Sequence, residues 1–424
     1  MCGQRRLLSV SPGQCLALLL LLTLGSVTTV WGAGELDVRV KAFGTYNELP
    51  DSDLQGEETG SPAWDGNLDL RLLYRRSLSN WQLQVDHTTV ALAGDSFEFN
   101  QSRRGAIDQT PTDDDRRALE LTWTLEQGDE QRLYHRFDRL AVQYKAQDWR
   151  LTLGRQAVSW GSGKVFNPMD LFAPFAPTTV DREYKSGEDL ALFDQLLDNG
   201  GDLQLLAVFR RDGEGKRDLD EDSFAAKWRS FLGDRELELA VGRHYQDDVL
   251  ALSYRQPLGG ALLQTDWVGT HLDEEDSWKL SAVINVDYSF ELAARSTYVF
   301  AEYFHNGFGR NQSPLELTDL PDYLVQRLQR GEVFNFMKDY LAVGGSYQWH
   351  PLLVQNLTLL WNLHDDSSLL QSSIGYEPGD QQRLEAGFTT TVGSRGDEYG
   401  RINVGEGFTT GGGSRIFVSW LYFW

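Results

Sequence analysis

Cysteine is nearly missing from this chain of 424 residues: there are two, Cys2 and Cys15, both close to the first residue. Everything downstream is therefore without a disulfide framework, a thiol nucleophile or a soft-metal site. Long apolar runs are missing too. After residue 33 none reaches the 18 residues of a membrane helix, and with a mean hydropathy of −0.40 a helical membrane bundle is excluded. Basic residues are outnumbered, 39 Lys and Arg against 62 Asp and Glu, for a formal charge of −23. An acidic chain of this kind lacks the basic footprint of a nucleic-acid binder, so no such partner is expected. No repeat of 40–50 residues offers a propeller. No GxSxG or HExxH is present, and no catalytic residue, metal or cofactor is expected.

What is present is aromatic and glycine-rich. Phe, Trp and Tyr make up 12% and glycine 41 residues. Such a chain, polar on average, has the composition of a transmembrane β-barrel, in which only alternate residues face lipid. The opening stretch fits export. Arg5 and Arg6 precede the short apolar core "CLALLLLLTLGSV" (Cys15–Val27), and Val30 and Gly32 place small residues before a cut after residue 32. This predicts a secretory signal peptide over 1–32 and a barrel over 33–424. Removing the leader takes two arginines and no acids, leaving a charge of −25. An acidic, cysteine-free exported barrel points to the outer membrane of a Gram-negative bacterium.

From residue 36 onward apolar residues alternate in segments of about ten, the length of a tilted membrane strand. Leu36, Val38, Val40, Ala42, Gly44 and Tyr46 share one face; Leu68, Leu70, Leu72 and Tyr74 do the same, with Asp69, Arg71 and Arg75 opposite. Charges on the second face predict a wet lumen. Tight turns (76–80, 147–148, 199–201, 232–235, 257–260, 288–291, 350–351, 377–380) alternate with longer polar links. The longer links fall at 47–65, 93–136, 159–187, 212–221, 273–276, 305–339, 364–367 and 394–413, with 245–248 short where a loop is due. The predicted fold is all-β: a single transmembrane antiparallel barrel of about 18 strands, within about 16–20, with long outer loops. "RRALELTWTLEQ" (116–127) reads as a local hairpin inside the second long loop.

The stretch 151–189 breaks the pattern. After Trp160-Gly161-Ser162-Gly163 comes an apolar run with Pro168, Pro174 and Pro177, which neither pairs as a strand nor suits water. The expectation is that loop 159–187 folds into the barrel and narrows it, with Asn167-Pro168 opening a short helix. Arg155, Lys164, Asn167, Asp170, Asp181, Arg182, Glu183 and Lys185 are then the candidates for a constriction that contacts solute. The alternative is a surface lid, or a clamp on a neighbouring subunit.

"GRQAVSWGSGKVFNPMDLFAPFAPTTVDREYKSGED" (154–189), "YSFELAARSTYVFAEYFHNGFG" (288–309) and "RGEVFNFMKDYLAVG" (330–344) resemble a set of uncharacterised proteobacterial outer-membrane barrels. Those are similar in turn to porin-like and alginate-export-type channel proteins, which carry a GRQ near a constricting loop. The resemblance implies a porin-like fold and transport, and it supplies no catalytic residue. A passive channel for a hydrophilic or amphipathic solute is the first expectation. An export or binding component working with a periplasmic or inner-membrane partner is the second, and an outer-membrane hydrolase using His364 beside Asp365, Asp366 and Ser367 the third.

Loop 305–339 holds Leu315, Leu320, Leu324 and Leu328 at helical spacing, with Ser313 and Glu316 at capping-box distance. Pro321 splits it, so the helix is expected in the second half. The tail "SRIFVSWLYFW" puts Ile416, Val418, Trp420, Tyr422 and Trp424 on one face. That predicts a closing strand with Trp420, Tyr422 and Trp424 at the membrane interface, and it resembles the address read by the barrel-assembly machinery. The bilayer, lipopolysaccharide and, for some barrels, a second copy are the remaining expected partners.

Overall fold

The computed structural model describes residues 34–102 and 114–424. The expected signal peptide, with Cys2 and Cys15, lies outside the described residues. Nineteen strands join one sheet, and eighteen of them close into a barrel through antiparallel pairing of successive strands. The first strand, Glu35–Glu48, pairs with Ala63–Leu78 on one side and with the last strand, Ser414–Phe423, on the other. The last strand also pairs with Gln382–Val392, so no edge is left open.

Period two decides which way each side chain faces. Ile416, Val418 and Trp424 are more than half exposed, while Phe417 and Leu421 between them are buried. The same outward exposure continues around the wall at Leu239, Val241, Leu250, Leu280 and Ile284. A continuous apolar belt of this size has no stable place in water and suits lipid. Inward parity instead carries Lys41, Asp86, Asp266 and Glu302, all buried. Trp420, Tyr422 and Trp424 run along the outward face with ring centroids 6.1 and 4.9 Å apart. At the same end of the barrel Trp81, Tyr144, Trp149 and Phe193 make a further run of ring contacts, a girdle of the kind that interfaces favour.

Short turns sit at one end and long links at the other, as the sequence predicts. One turn moves: the expected 288–291 is strand, and the reversal falls at Ala293-Ala294, both with positive φ. The reason is that Tyr288 and Phe290 still pair across, with Val299 and Thr297. The 116–127 stretch makes only one arm of a hairpin. Thr122–Gln127 pairs with the start of the barrel strand Gln131–Lys145.

In the second long loop the helix is Asp322–Arg330, beginning after Pro321 and ending at Gly331 in the left-handed region. Leu324 and Leu328 pack on Leu272 and Phe308, and Lys279 Nζ stands 4.2 Å over the Tyr323 ring. Leu272 and Lys279 have inward parity, so the helix lies against the inner side of the rim. The first half of the loop does not continue it. Ser313 caps nothing there, and only the 3₁₀ turn Leu317–Asp319 forms, because Pro321 removes the amide a through-going helix needs.

Candidate functional site

Between the strands Trp149–Gln156 and Glu188–Leu196, residues 157–187 leave the wall and cross the lumen. Glycine makes the departure possible. Gly161 has φ 86, and a Cβ there would stand 2.1 Å from Asn167 Oδ1; at Gly163 it would stand 1.8 Å from the Phe166 carbonyl oxygen. Asn167-Pro168 opens a single turn rather than the expected helix, closed by Asp170 N–H to the Asn167 carbonyl at 3.1 Å. The prolines at 174 and 177 deny a longer helix its amides.

The first limb of the loop is fastened to the far wall. Ser162 donates its N–H and hydroxyl to Asp266 at 2.6 and 2.8 Å. Three successive amides, Lys164, Val165 and Phe166, donate to Glu302 at 2.7, 3.0 and 2.8 Å, and Asn285 adds a fourth bond at 3.2 Å. The Phe166 ring then stacks on Phe304 at 4.7 Å and lies 5.4 Å from Tyr340. Val158, Trp160, Met169 and Phe172 pack on Leu190, Leu206, Val208 and Val268, burying the apolar run that water would not take.

The second limb runs along the opposite wall. Asp181 and Glu183 both reach Lys41, at 2.5 and 3.2 Å, and Glu183 also meets Arg383 at 3.5 Å. Tyr184 is sandwiched by Arg71 and Arg139, 3.5 and 4.6 Å from its ring centre, and donates its hydroxyl to Asp86 at 2.6 Å. Burial pushes the Tyr184 phenol above its ordinary range, so it stays a donor. Between the limbs Lys185 binds both oxygens of Asp170, at 2.6 and 2.7 Å. Burial pushes the Asp170 carboxyl up to about 6 against the pull of Lys185, and it lowers the Lys185 ammonium.

Of the eight candidates, Lys164, Asp181, Arg182 and Glu183 come together with side chains open to the lumen. Lys164 Nζ is 3.2 Å from Asp287, and Arg182 donates to the carbonyls of Thr179, Pro177, Ala176 and Lys164. Asn167, Asp170 and Lys185 hold the loop's own shape.

Arg155 is a different matter. It is 1% exposed and cannot touch a solute. It shares the outward parity of Leu151 and Leu153, opposite Asp189. Its guanidinium is bracketed by Asp189, Asp114 and the Leu119 carbonyl at 2.7–3.1 Å. This bracket closes a gap. The strands Trp149–Gln156, Glu188–Leu196 and Asp202–Val208 have only 8, 9 and 7 residues, because the loop dives inward above them. Residues 114–127 fill the missing wall, presenting Leu119, Trp123 and Leu125 outward and reaching Arg210 at the far side.

Of the wall residues that receive the loop (Lys41, Arg71, Asp86, Asp266, Glu302), the sequence singles out only Arg71, and only as a lumen-facing charge. Their signal was a charge at inward parity inside an apolar segment, as with Lys41 between Val40 and Ala42. At His364 the geometry is that of a turn. Its ring meets Asp339 at 2.7 Å, while Ser367 is fully buried and donates to Asp365 at 2.6 Å, with no imidazole to activate it. Ser223, His244 and Glu332 also line up, at 2.9 and 3.3 Å. The serine is 1% exposed there, and its oxygen accepts from Arg210.

No protein-family model and no curated protein matches the chain. Solved structures do match in fold. Pseudomonas aeruginosa OccK5 (OpdH) superposes with a TM-score of 0.52 at 9% identity, over 92% of this chain and 98% of that one. Pseudomonas aeruginosa OpdK, an outer membrane protein solved once with vanillate, gives 0.51 at 10% over 92% and 99%. Acinetobacter baumannii OccAB2 gives 0.53 at 10% over 92% and 98%. At this identity the likeness concerns the fold: the chain is built as those eighteen-strand barrels are.

Proposed function

We propose that this protein is a passive outer-membrane channel for small hydrophilic or amphipathic solutes, with selectivity set by the in-folded loop 157–187. One observation carries the reading. A loop tied to opposite walls of a closed barrel leaves Lys164, Asp181, Arg182 and Glu183, charges of both signs, in water inside the lumen. Charges focused in a narrow, low-dielectric passage discriminate among solutes. Similarity in fold to an outer membrane protein supports the location, as does the leader expected over 1–32. A Gram-negative outer membrane would supply lipopolysaccharide at the loop end, and the assembly machinery would read the terminal strand. The alginate-export resemblance has less support, since the arginine of its GRQ, Arg155, is sealed in the wall.

Planar-bilayer recording of the purified protein tests this. Discrete conductance steps are expected, larger after deletion of 157–187. Silence from both proteins would sink the proposal. Conductance only after the deletion would favour the other reading, a barrel plugged at rest that works with an inner-membrane system.

A further inference from the structure

The two limbs of the loop are held by unlike means. The first limb meets carboxylates that are 0% and 1% exposed, Asp266 and Glu302. Four of the five bonds they accept from the limb come from main-chain N–H groups and one from the Ser162 hydroxyl, so the limb's position depends little on which side chains it carries. Three successive amides converging on one site form a concave anion cradle, and here the wall supplies the anion. Fully buried hydrogen bonds to a charged acceptor are short and strong, and solvent does not compete for them. The second limb meets Lys41, whose side chain is 10% exposed, and Arg383 through Asp181 and Glu183, whose side chains are 37% and 32% exposed. Water and passing ions reach the acid side of those pairs.

We infer that Glu302, with Asp266 beside it, is the positioning residue that sets how far the loop intrudes and hence the width of the passage, whereas Lys41 with Asp181 and Glu183 sets its charge preference. This rests on the channel reading but is separable from it. Width and charge preference are then controlled from opposite walls of the barrel, and a change on one wall leaves the other property in place.

The experiment uses the full-length protein. With Cys2 and Cys15 both inside the expected leader, a thiol introduced by Val165→Cys is the only one in the processed chain. Val165 is 9% exposed, so a water-soluble maleimide should label it slowly. Glu302→Ala orphans three amides and is expected to speed labelling by about tenfold or more. It should also raise conductance toward the loop-deleted value with the reversal potential in a salt gradient unchanged. Glu302→Gln keeps one accepting oxygen and should fall between. Lys41→Glu is expected to leave labelling at Val165 near the parent's and to shift the reversal potential toward cations. Folding of each variant is checked by the heat-dependent shift of the barrel on a gel. Parent-like labelling in a folded Glu302→Ala barrel overturns the inference. So does a Lys41→Glu variant that frees Val165 equally. Failure of every protein to conduct would end the channel reading, while the labelling rates would still decide whether Glu302 holds the loop.

Discussion

Where loop 157–187 leaves the wall, Arg155 is enclosed by two carboxylates and a carbonyl; where it passes back along the wall, Lys41 meets two carboxylates half open to the lumen. The groups are alike and the surroundings are not. A buried ion pair, once formed, cannot lose one partner without stranding the other charge in a poor solvent. An exposed pair loses little, because water replaces the partner. The first arrangement seals the wall; on the channel reading, the second lies where solute would pass.

The largest effect should come from breaking the buried side. Arg155→Ala leaves Asp189 without its cation and Asp114 with Arg117 alone under the panel 114–127, at a cost of about 3–5 kcal/mol. The check is the temperature, or the urea concentration, at which the folded barrel band is lost. Arg155→Lys should recover part of the loss, since an ammonium reaches fewer of the three acceptors. A variant as stable as the parent would mean that the bracket is idle.

A second contrast lies in the outer loops, between two buried acids. Burial raises Glu332, but His244 with Arg327 and Arg330 overcomes it and holds the carboxyl near 2. Glu398 has only dipoles: Asn335, Asn362, the Tyr340 hydroxyl and the amides of Phe336 and Met337. Burial there wins and pushes it to about 7, with Asp365 adding to the rise. The signs follow. Glu332 contributes stability above its unfolded value of 4.5, and that contribution is lost only as pH falls through about 2. Glu398 contributes below 4.5, and its contribution is lost as pH rises through about 7, an effect on the order of 3 kcal/mol. Loop 306–338 should therefore resist proteolysis better at acid pH than above pH 7, and Glu398→Gln should flatten that dependence. A loop equally resistant across the range would contradict this reading.

The wall was legible because a lipid-facing strand must alternate, and Leu36 to Tyr46 or Ile416 to Trp424 can do so only as strands. The long loops were legible from charge and from proline. Arg155 reads as a constriction candidate because Gly154-Arg155-Gln156 lies at the outer end of its strand beside the loop, although its parity with Leu151 and Leu153 points outward. The fastening of the first limb was not legible at all. Amide groups carry no residue identity, so nothing in "GKVF" announces that Glu302, more than a hundred residues on, accepts from it. Lys41 stood in plain view at inward parity, and only the fold says which acids it meets.

The smallest expected effect belongs to that lysine. Lys41 is itself buried, but Asp181 and Glu183 are open to water, so Lys41→Ala strands no buried carboxylate of the loop and should cost about 1 kcal/mol or less of stability. What should change is the field. With Lys41 gone, Asp181 and Glu183 face the passage with Arg383 alone, and the reversal potential should move toward cation preference. Raising salt from about 0.1 to 1 M shortens the Debye length from about 10 to 3 Å, so the difference between variant and parent should shrink as salt rises. Replacing Arg155 should show no such salt dependence, since solvent ions do not reach it. If the Lys41 variant instead lost stability on the scale expected for Arg155, the lumen-side pairs would be structural too, and the contrast between the sealed and the open pairs would not hold.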